Sequence, residues 1–202
     1  STNTAALTPS AGLTPSATYT VSLGGAQDLA GNVMATTSWS FTTAPEISNA
    51  TIWSSAASPA VTSANDSSSQ ELGVKFTVDT AGYITGLRFY KGAGNAGVHV
   101  AHLWTSAGVL LASAAFTGES ASGWQQVSFA TPVAVQANTT YVASYFDPDG
   151  HYSYTSASFA SAGADNGVLH APSNAAAGGN GVFTATATGA FPNSSFNATN
   201  YW

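Results

Sequence analysis

Apolar and polar side chains alternate at every second position through most of this chain. Residues 71–78 show the pattern clearly, with Leu72 and Phe76 on one side and Glu71 and Lys75 on the other. Such a period predicts half-buried β-strands, and no window of 11 or more residues has the apolar spacing of an amphipathic helix. We therefore expect an all-β fold, an antiparallel β-sandwich of jelly-roll-like form. The predicted strand segments are 71–78, 84–90, 109–116, 124–129, 139–146, 181–188 and 195–202.

A domain boundary is expected near residues 43–48, which gives one segment of residues 1–45 and a sandwich module of residues 46–202. The first segment holds about three strand-like stretches, too few for a two-sheet core. It resembles the last part of bacterial Ig-like domains of surface-layer proteins. The resemblance implies a partial Ig-like β segment whose other strands are missing or come from another molecule. The motifs that carry it are Pro15-Ser-Ala-Thr-Tyr19-Thr-Val, Asp28-Leu-Ala-Gly-Asn32 and Trp39-Ser-Phe41-Thr-Thr.

The second segment resembles a bacterial extracellular family known as domain of unknown function 4082. This resemblance implies a non-catalytic β-sandwich attached to secreted enzymes and surface proteins, often beside Ig-like modules, and implies no established ligand. In the family the last strand usually continues past Tyr201-Trp202, so we expect that strand to be truncated here or completed from outside. The matching motifs are Glu71-Leu-Gly-Val-Lys-Phe76, Gly86-Leu-Arg-Phe-Tyr-Lys-Gly92, Asn95-Ala-Gly-Val-His99, Leu103-Trp104, Ser122-Gly-Trp-Gln125, Thr140-Tyr-Val-Ala-Ser-Tyr145, Gly150-His-Tyr152 and Phe196-Asn-Ala-Thr-Asn-Tyr-Trp202.

Composition narrows the choice of partners. The 202 residues include 3 Lys or Arg and 9 Asp or Glu, for a net charge of −6, and no Cys. So few basic residues argue against nucleic acid and anionic membranes as partners. A lack of Cys excludes disulfides and thiolate metal sites. The Ser-, Thr-, Ala- and Gly-rich composition favours a secreted or cell-surface bacterial protein, and we expect this chain to be an interior slice of a longer one.

Two tyrosines are expected to have a structural role. Tyr19 and Tyr141 each follow a polar turn and begin a strand. In sandwich folds such a Tyr hydroxyl often bonds back to the preceding corner. We therefore predict that both tyrosines brace corners.

Aromatic side chains near turns are the main candidates for carbohydrate binding. Exposed Trp and Tyr rings stack on sugar rings, while their rims leave sugar hydroxyls free to hydrogen-bond. Trp104 lies at a strand end, Tyr152 and Tyr154 follow a loop, and His151 belongs to that loop. Trp124 fits a core position better, because it alternates with apolar residues along its segment.

The three basic side chains within residues 71–91 allow two interpretations of their role. Arg88 and Lys91 could donate hydrogen bonds to ligand oxygens. Alternatively, Glu71, Lys75 and Arg88 could form an ion-pair ladder across neighbouring strands.

Metal sites have weak support in the sequence. His99 and His102 are three apart, so on a strand they point to opposite faces and cannot share one ion. Asp147 and Asp149 flank a turn and could begin a structural Ca²⁺ site, but the full ligand series of a calcium loop is absent. No cofactor is required by any motif.

Catalytic motifs are also absent. The chain has no nucleophile elbow, no Cys nucleophile, no zinc-protease helix motif and no phosphate loop. We therefore expect a protein that is not an enzyme, and two functions remain open. One is an accessory module that binds a polysaccharide or cell-surface glycan beside other domains of its parent protein. The other is a structural spacer or assembly module that pairs with neighbouring chains, including copies of itself, by strand addition.

Overall fold

The computed structural model describes residues 6–43 and 49–202 and divides the chain into two compact units, Ser1–Asn49 and Ala50–Trp202. These residues form β-strands joined by turns, and none of them belongs to a helix that could cross a membrane. The strands are β1 (Thr18–Leu23), β2 (Thr37–Thr42), β3 (Gln70–Val78), β4 (Gly82–Lys91), β5 (Val100–Thr105), β6 (Leu110–Ala115), β7 (Gly123–Val135), β8 (Tyr141–Asp147), β9 (Tyr154–Thr155), β10 (Ala164–Asn166), β11 (Leu169–Ala171), β12 (Val182–Ala185), β13 (Ser194–Ser195) and β14 (Asn200–Tyr201).

Within residues 6–43, the first unit shows one antiparallel pair of strands, β1 and β2, where about three strands were expected. Tyr19 lies opposite Phe41 with ring centroids 5.9 Å apart, and Val21 lies opposite Trp39 on the same face. Hydroxyl side chains occupy the other face, where Thr18 bonds Thr42 and Thr20 bonds Ser40. The period-two pattern therefore places apolar and polar residues on separate faces of a two-stranded ribbon.

The second unit is built on an eight-stranded antiparallel sheet and a separate pair, β4 with β7. The main path of the large sheet runs β10-β11-β3-β8-β5-β6, and β3 also pairs with β12, which in turn pairs with β13. A short ribbon of β9 and β14 makes a further sheet. The expected all-β fold of antiparallel sheets is confirmed, whereas the jelly-roll connectivity stays a prediction.

The core lies between the large sheet and the β4–β7 pair. Phe89 of β4 is 1% exposed and stacks on Tyr145 of β8 with ring centroids 4.5 Å apart. Phe116 meets Phe89 edge-on at 4.8 Å, and Leu72 and Leu103 fill the same cluster from the large sheet. Two facing layers of alternating side chains thus form a sandwich.

The corner tyrosines are confirmed. The Tyr19 hydroxyl accepts a hydrogen bond from the Thr14 backbone N–H at 2.7 Å. Tyr141 accepts one from the Gln136 N–H at 3.0 Å. Both bonds join residues five apart, so each ring closes the turn that precedes its own strand.

Tyr141→Phe is expected to lower the free energy of unfolding by about 1–2 kcal/mol, because the Gln136 N–H loses its partner while the buried ring is kept. Urea unfolding of the two proteins measures the difference. Tyr83→Phe is a suitable control because the Tyr83 side chain is exposed. An unchanged urea midpoint for Tyr141→Phe would argue that the corner bond adds no stability.

Candidate functional site

A groove of about 440 Å³ opens beside the β9–β14 ribbon. Its volume falls within the roughly 300–1,000 Å³ of small-molecule sites. Three stretches that are distant in sequence meet there: residues 64–66, residues 152–156 and residues 196–201. The lining residues are Ala64, Asn65, Asp66, Tyr152, Tyr154, Ser156, Phe196, Thr199 and Tyr201.

Four aromatic rings give the groove its apolar surface. Tyr201 is nearly buried and meets Tyr152 edge-on, with centroids 5.7 Å apart. The Tyr152 and Tyr154 rings are half-buried, 6.1 Å apart and tilted by 56°. Phe196 is 68% exposed, a large exposure for an apolar ring. These rings offer walls with different orientations, which suits contact with the C–H surface of a ligand.

Two unusual backbone turns border one end of the groove. Ala157, Asn197 and Ala198 have φ values of 56°, 50° and 46°, a left-handed conformation that is costly for non-glycine residues. The turns hold each other, since the Ala157 N–H bonds the Asn197 carbonyl at 3.0 Å and the Phe159 N–H bonds the Ala198 carbonyl at 2.9 Å. Strained backbone of this kind concentrates at functional sites. Here it fixes the segments that carry Ser156 and Phe196.

Asp66 is the carboxylate of the groove. Its Oδ1 accepts the Ser68 N–H at 2.8 Å, while Oδ2 has two longer contacts, 3.4 Å to Nε2 of Gln70 and 3.5 Å to the Tyr152 hydroxyl. Burial raises the pKa of Tyr152, and the negative charge of Asp66 adds to the effect. Oδ2 therefore keeps acceptor capacity for a ligand.

The loop before Tyr152 is held by the backbone of Asp66. The His151 N–H donates to the Asp66 carbonyl at 2.8 Å. Gly150 has a φ of 66°, and a Cβ at this position would collide with that same carbonyl, so only glycine fits. The two sides of the groove are thus joined through main-chain contacts.

Comparison with protein families gives two matches. Residues 56–202 match the model described as domain of unknown function (DUF4082), and residues 1–43 match that of the bacterial Ig-like domain. The chain belongs to the DUF4082 family. Both resemblances found in the sequence are confirmed, and neither the curated proteins nor the solved structures gave a match.

The whole groove lies within the DUF4082 match, because its lining extends from Ala64 to Tyr201. Bacterial Ig-like domains usually occur in extracellular or surface proteins. Together the two matches indicate an accessory region of a bacterial protein.

The structure brings together two of the residues chosen from the sequence, Tyr152 and Tyr154. His151 is adjacent but outside the lining, and its Nδ1 contacts the backbone carbonyl of Asp149, two residues earlier, at 3.0 Å. Sequence reasoning missed Asp66, Phe196 and Tyr201. Phe196 and Tyr201 belong to the family motif 196–202, which was the available signal, whereas nothing local distinguishes Asp66.

Trp104 is not an exposed platform, and this expectation was wrong. The side chain is 7% exposed and packs edge-on against Phe191 with centroids 5.8 Å apart. Its indole N–H donates to the Ser144 hydroxyl at 2.8 Å. The residue looked terminal because a turn follows it, but the segment that carries Phe191 covers that face of the sheet.

Arg88 and Lys91 do not form one ligand-binding patch. The Arg88 guanidinium lies 4.3 Å from the Trp124 ring centroid, which makes a cation–π contact. Lys91 instead forms an ion pair with Glu119 at 2.7 Å. Residues three apart on one strand face opposite ways, so β4 separates the two side chains.

The alternative ion-pair ladder is also wrong. Glu71 and Lys75 lie on β3, whereas Arg88 lies on β4 in a different sheet. Glu71 is fully buried, and its Oε1 contacts Nδ1 of His102 at 3.0 Å.

Asp147 faces the interior, not a calcium loop. Its Oδ2 accepts a hydrogen bond from Nδ2 of Asn95 at 3.0 Å, and its Oδ1 accepts one from the Asp149 N–H at 3.1 Å. Burial raises the pKa of Asp147 to about 7. Across the parts of the chain that the structure describes, no three His, Asp or Glu side chains gather as metal ligands. The geometry thus gives the Asp147–Asp149 calcium hypothesis no support.

A chain of buried polar groups continues from Asp147 across the core. Asn95 bridges it to His99, whose Nε2 lies 2.6 Å from Oδ1 of Asn95. Nδ1 of His99 lies 2.9 Å from Glu119, the partner of Lys91. Burial lowers the pKa of His99, and Glu119 opposes that shift. Both ring nitrogens of His99 face oxygen acceptors, so each of these two contacts needs a proton between its atoms. His99 and His102 thus face different surroundings, as their spacing predicted.

Proposed function

We propose that this chain is a non-catalytic accessory module of a secreted or cell-surface bacterial protein and that it binds carbohydrate in the groove. The observation that carries the proposal is the combination of Tyr152, Tyr154 and exposed Phe196 with the polar groups of Asn65 and Asp66. Sugar recognition needs both, since ring C–H surface stacks on aromatic faces while hydroxyls need hydrogen-bond partners. The Ig-like segment supports an extracellular setting.

The groove's single carboxylate supports a binding role over a hydrolytic one. Glycoside hydrolysis needs two carboxyl groups that flank the scissile bond. Asp66 is the one acidic residue among the groove's lining residues. Asp147 lies outside that lining and faces the buried network. Neither a metal nor another cofactor is part of the proposal.

The test is a glycan array with the whole chain, followed by calorimetry on any glycan that is retained. Tyr152→Ala is expected to weaken binding at least about tenfold, the ~1.4 kcal/mol or more that truncation of a central aromatic contact costs. Tyr83→Ala is the matched control, because Tyr83 is 68% exposed and lies on β4 outside the groove. Blank arrays over cell-wall and plant glycans, or equal losses in both variants, would contradict the proposal.

Strand addition is the second candidate function, and the edge strand β6 favours it. Among the described strands, β6 pairs with β5 alone. Leu110 and Leu111 on this edge are exposed, together with Val109 just before it. An open apolar edge can accept a strand from another chain. Light scattering would then show oligomers that dissociate in Leu111→Lys, and a strictly monomeric protein at high concentration would contradict this function.

A further inference from the structure

We propose that the groove selects uncharged glycans, with the Asp66 carboxylate accepting hydrogen bonds from ring hydroxyls, and that it rejects acidic saccharides. This inference rests on the proposed function and adds the chemical class of the ligand. Three observations carry it: the position of Asp66, the positions of the basic side chains, and the polar groups that line the rest of the groove.

The basic side chains are all engaged away from the groove. Lys91 pairs with Glu119, Arg88 lies on the Trp124 ring, and Nζ of Lys75 donates to the Ala177 carbonyl at 3.0 Å. These three are the only Lys and Arg residues of the chain. None lines the groove, and no lining residue is a histidine. A uronic acid, sulfate or phosphate group would therefore meet no cationic partner there.

Asp66 makes the groove favour ligands that donate hydrogen bonds and disfavour anionic ligands. A carboxylate is acceptor-only, so it pairs with donors such as sugar hydroxyls and is repelled by a second anion. Oδ1 is committed to the Ser68 N–H at 2.8 Å, while the contacts of Oδ2 at 3.4 and 3.5 Å are long for hydrogen bonds. Oδ2 is therefore the oxygen that can accept a hydrogen bond from a ligand hydroxyl.

The remaining polar groups of the groove are neutral. Asn65 and Ser156 are exposed, and each can both donate and accept hydrogen bonds. They can therefore pair with a sugar hydroxyl in either its donor or its acceptor role. With Tyr152 and Tyr154 as apolar walls, the lining complements a saccharide, whose surface alternates between C–H groups and hydroxyls. A net charge of −6 for the chain adds a general repulsion of polyanions.

Calorimetry with two kinds of probe tests the inference. The neutral probes are cello-, manno- and chito-oligosaccharides, and the acidic probe is a galacturonate oligomer of matched length. We expect at least one neutral probe to bind and the galacturonate to give no heat. Asp66→Asn should weaken the neutral probe about tenfold, because a neutral acceptor makes a bond about half as strong. It should also make galacturonate binding detectable.

The outcomes separate this inference from the proposed function. If galacturonate binds the unaltered protein and Tyr152→Ala abolishes that binding, the groove binds carbohydrate but the neutral preference is wrong. If no probe binds, both ideas are contradicted. Asp165→Asn serves as the control, since Asp165 is exposed and contacts His170 away from the groove. An equal loss of neutral binding in this control would show a general charge effect and overturn the role of Asp66.

Discussion

Phe89→Ala is expected to lower the free energy of unfolding of the second unit by about 3–5 kcal/mol, the usual cost of removing a buried phenylalanine ring. Phe89 is the point where the two layers of the sandwich meet, with Tyr145 stacked on one side and Phe116 edge-on. The His99 ring also lies against it at 4.7 Å. A cavity there cannot collapse easily, because its walls belong to hydrogen-bonded strands and to the buried polar chain.

Urea unfolding followed by tryptophan fluorescence measures this loss. Tyr83→Ala is the matched control, since it removes an aromatic ring from the exposed face of β4 and should change stability by no more than about 0.5 kcal/mol. Similar losses in both variants would contradict the sandwich. So would a loss below about 1 kcal/mol for Phe89→Ala, because the ring would then not be central to the core.

The long strands and the corners could be predicted because their signals are local. Alternation over residues 71–78 and 84–90 is enough to mark β3 and β4. A polar turn followed by Tyr places the hydroxyl near its own corner, so the Tyr141 bond needs no knowledge of distant residues. Both family resemblances rest on contiguous motifs of this kind.

The groove could be predicted only in part, because long-range contacts assemble it. Tyr152 and Asp66 are 86 positions apart, and the short ribbon of β9 and β14 joins residues 154–155 with 200–201. Strands of two or three residues have no measurable period, so β9, β10 and β11 escaped the pattern. Aromatic residues after a loop gave Tyr152 and Tyr154, but not the carboxylate beside them.

Alternation also fails where both faces of a strand are covered. The pattern of β3 predicts that Glu71 faces outward, yet Glu71 is fully buried. The outer face of the sheet is covered there, since Phe191 packs on Trp104 and Gly189 approaches His102. A period of two shows which residues share a face, and only the fold shows what covers it.

Asp147→Asn is expected to remove most of a pH dependence of stability between about pH 4 and 7. Burial raises the folded-state pKa of Asp147 from 3.8 to about 7. Within this window the folded protein keeps a proton that the unfolded chain releases, so the free energy of unfolding falls as pH rises. The fall amounts to at most about 4 kcal/mol, and it is complete once the pH exceeds the folded-state pKa. Asparagine carries no charge to bury and keeps an acceptor for the Asp149 N–H.

Urea unfolding of both proteins at about pH 4, 6 and 8 measures how much of the pH dependence of stability depends on the Asp147 carboxyl group. The lowered pKa of His99 acts in the opposite direction, because the unfolded chain takes up a proton below pH 6.5 that the folded protein does not. Nε2 of His99 lies 3.8 Å from Oδ1 of Asp147, so the substitution acts on both groups and the comparison measures their combined change. Asp147→Asn should therefore be clearly more stable than the unaltered protein at about pH 8 and nearly equal to it at about pH 4.

Asp149→Asn is the matched control for this experiment. Its charge is the smallest of the influences on Asp147, so the variant should keep the pH dependence. If Asp147→Asn is instead less stable than the unaltered protein at about pH 8, the ionised carboxylate must contribute more through its bonds to Asn95 and Asp149 than its burial costs. The polar chain from Asp147 to Lys91 would then stabilise the folded protein.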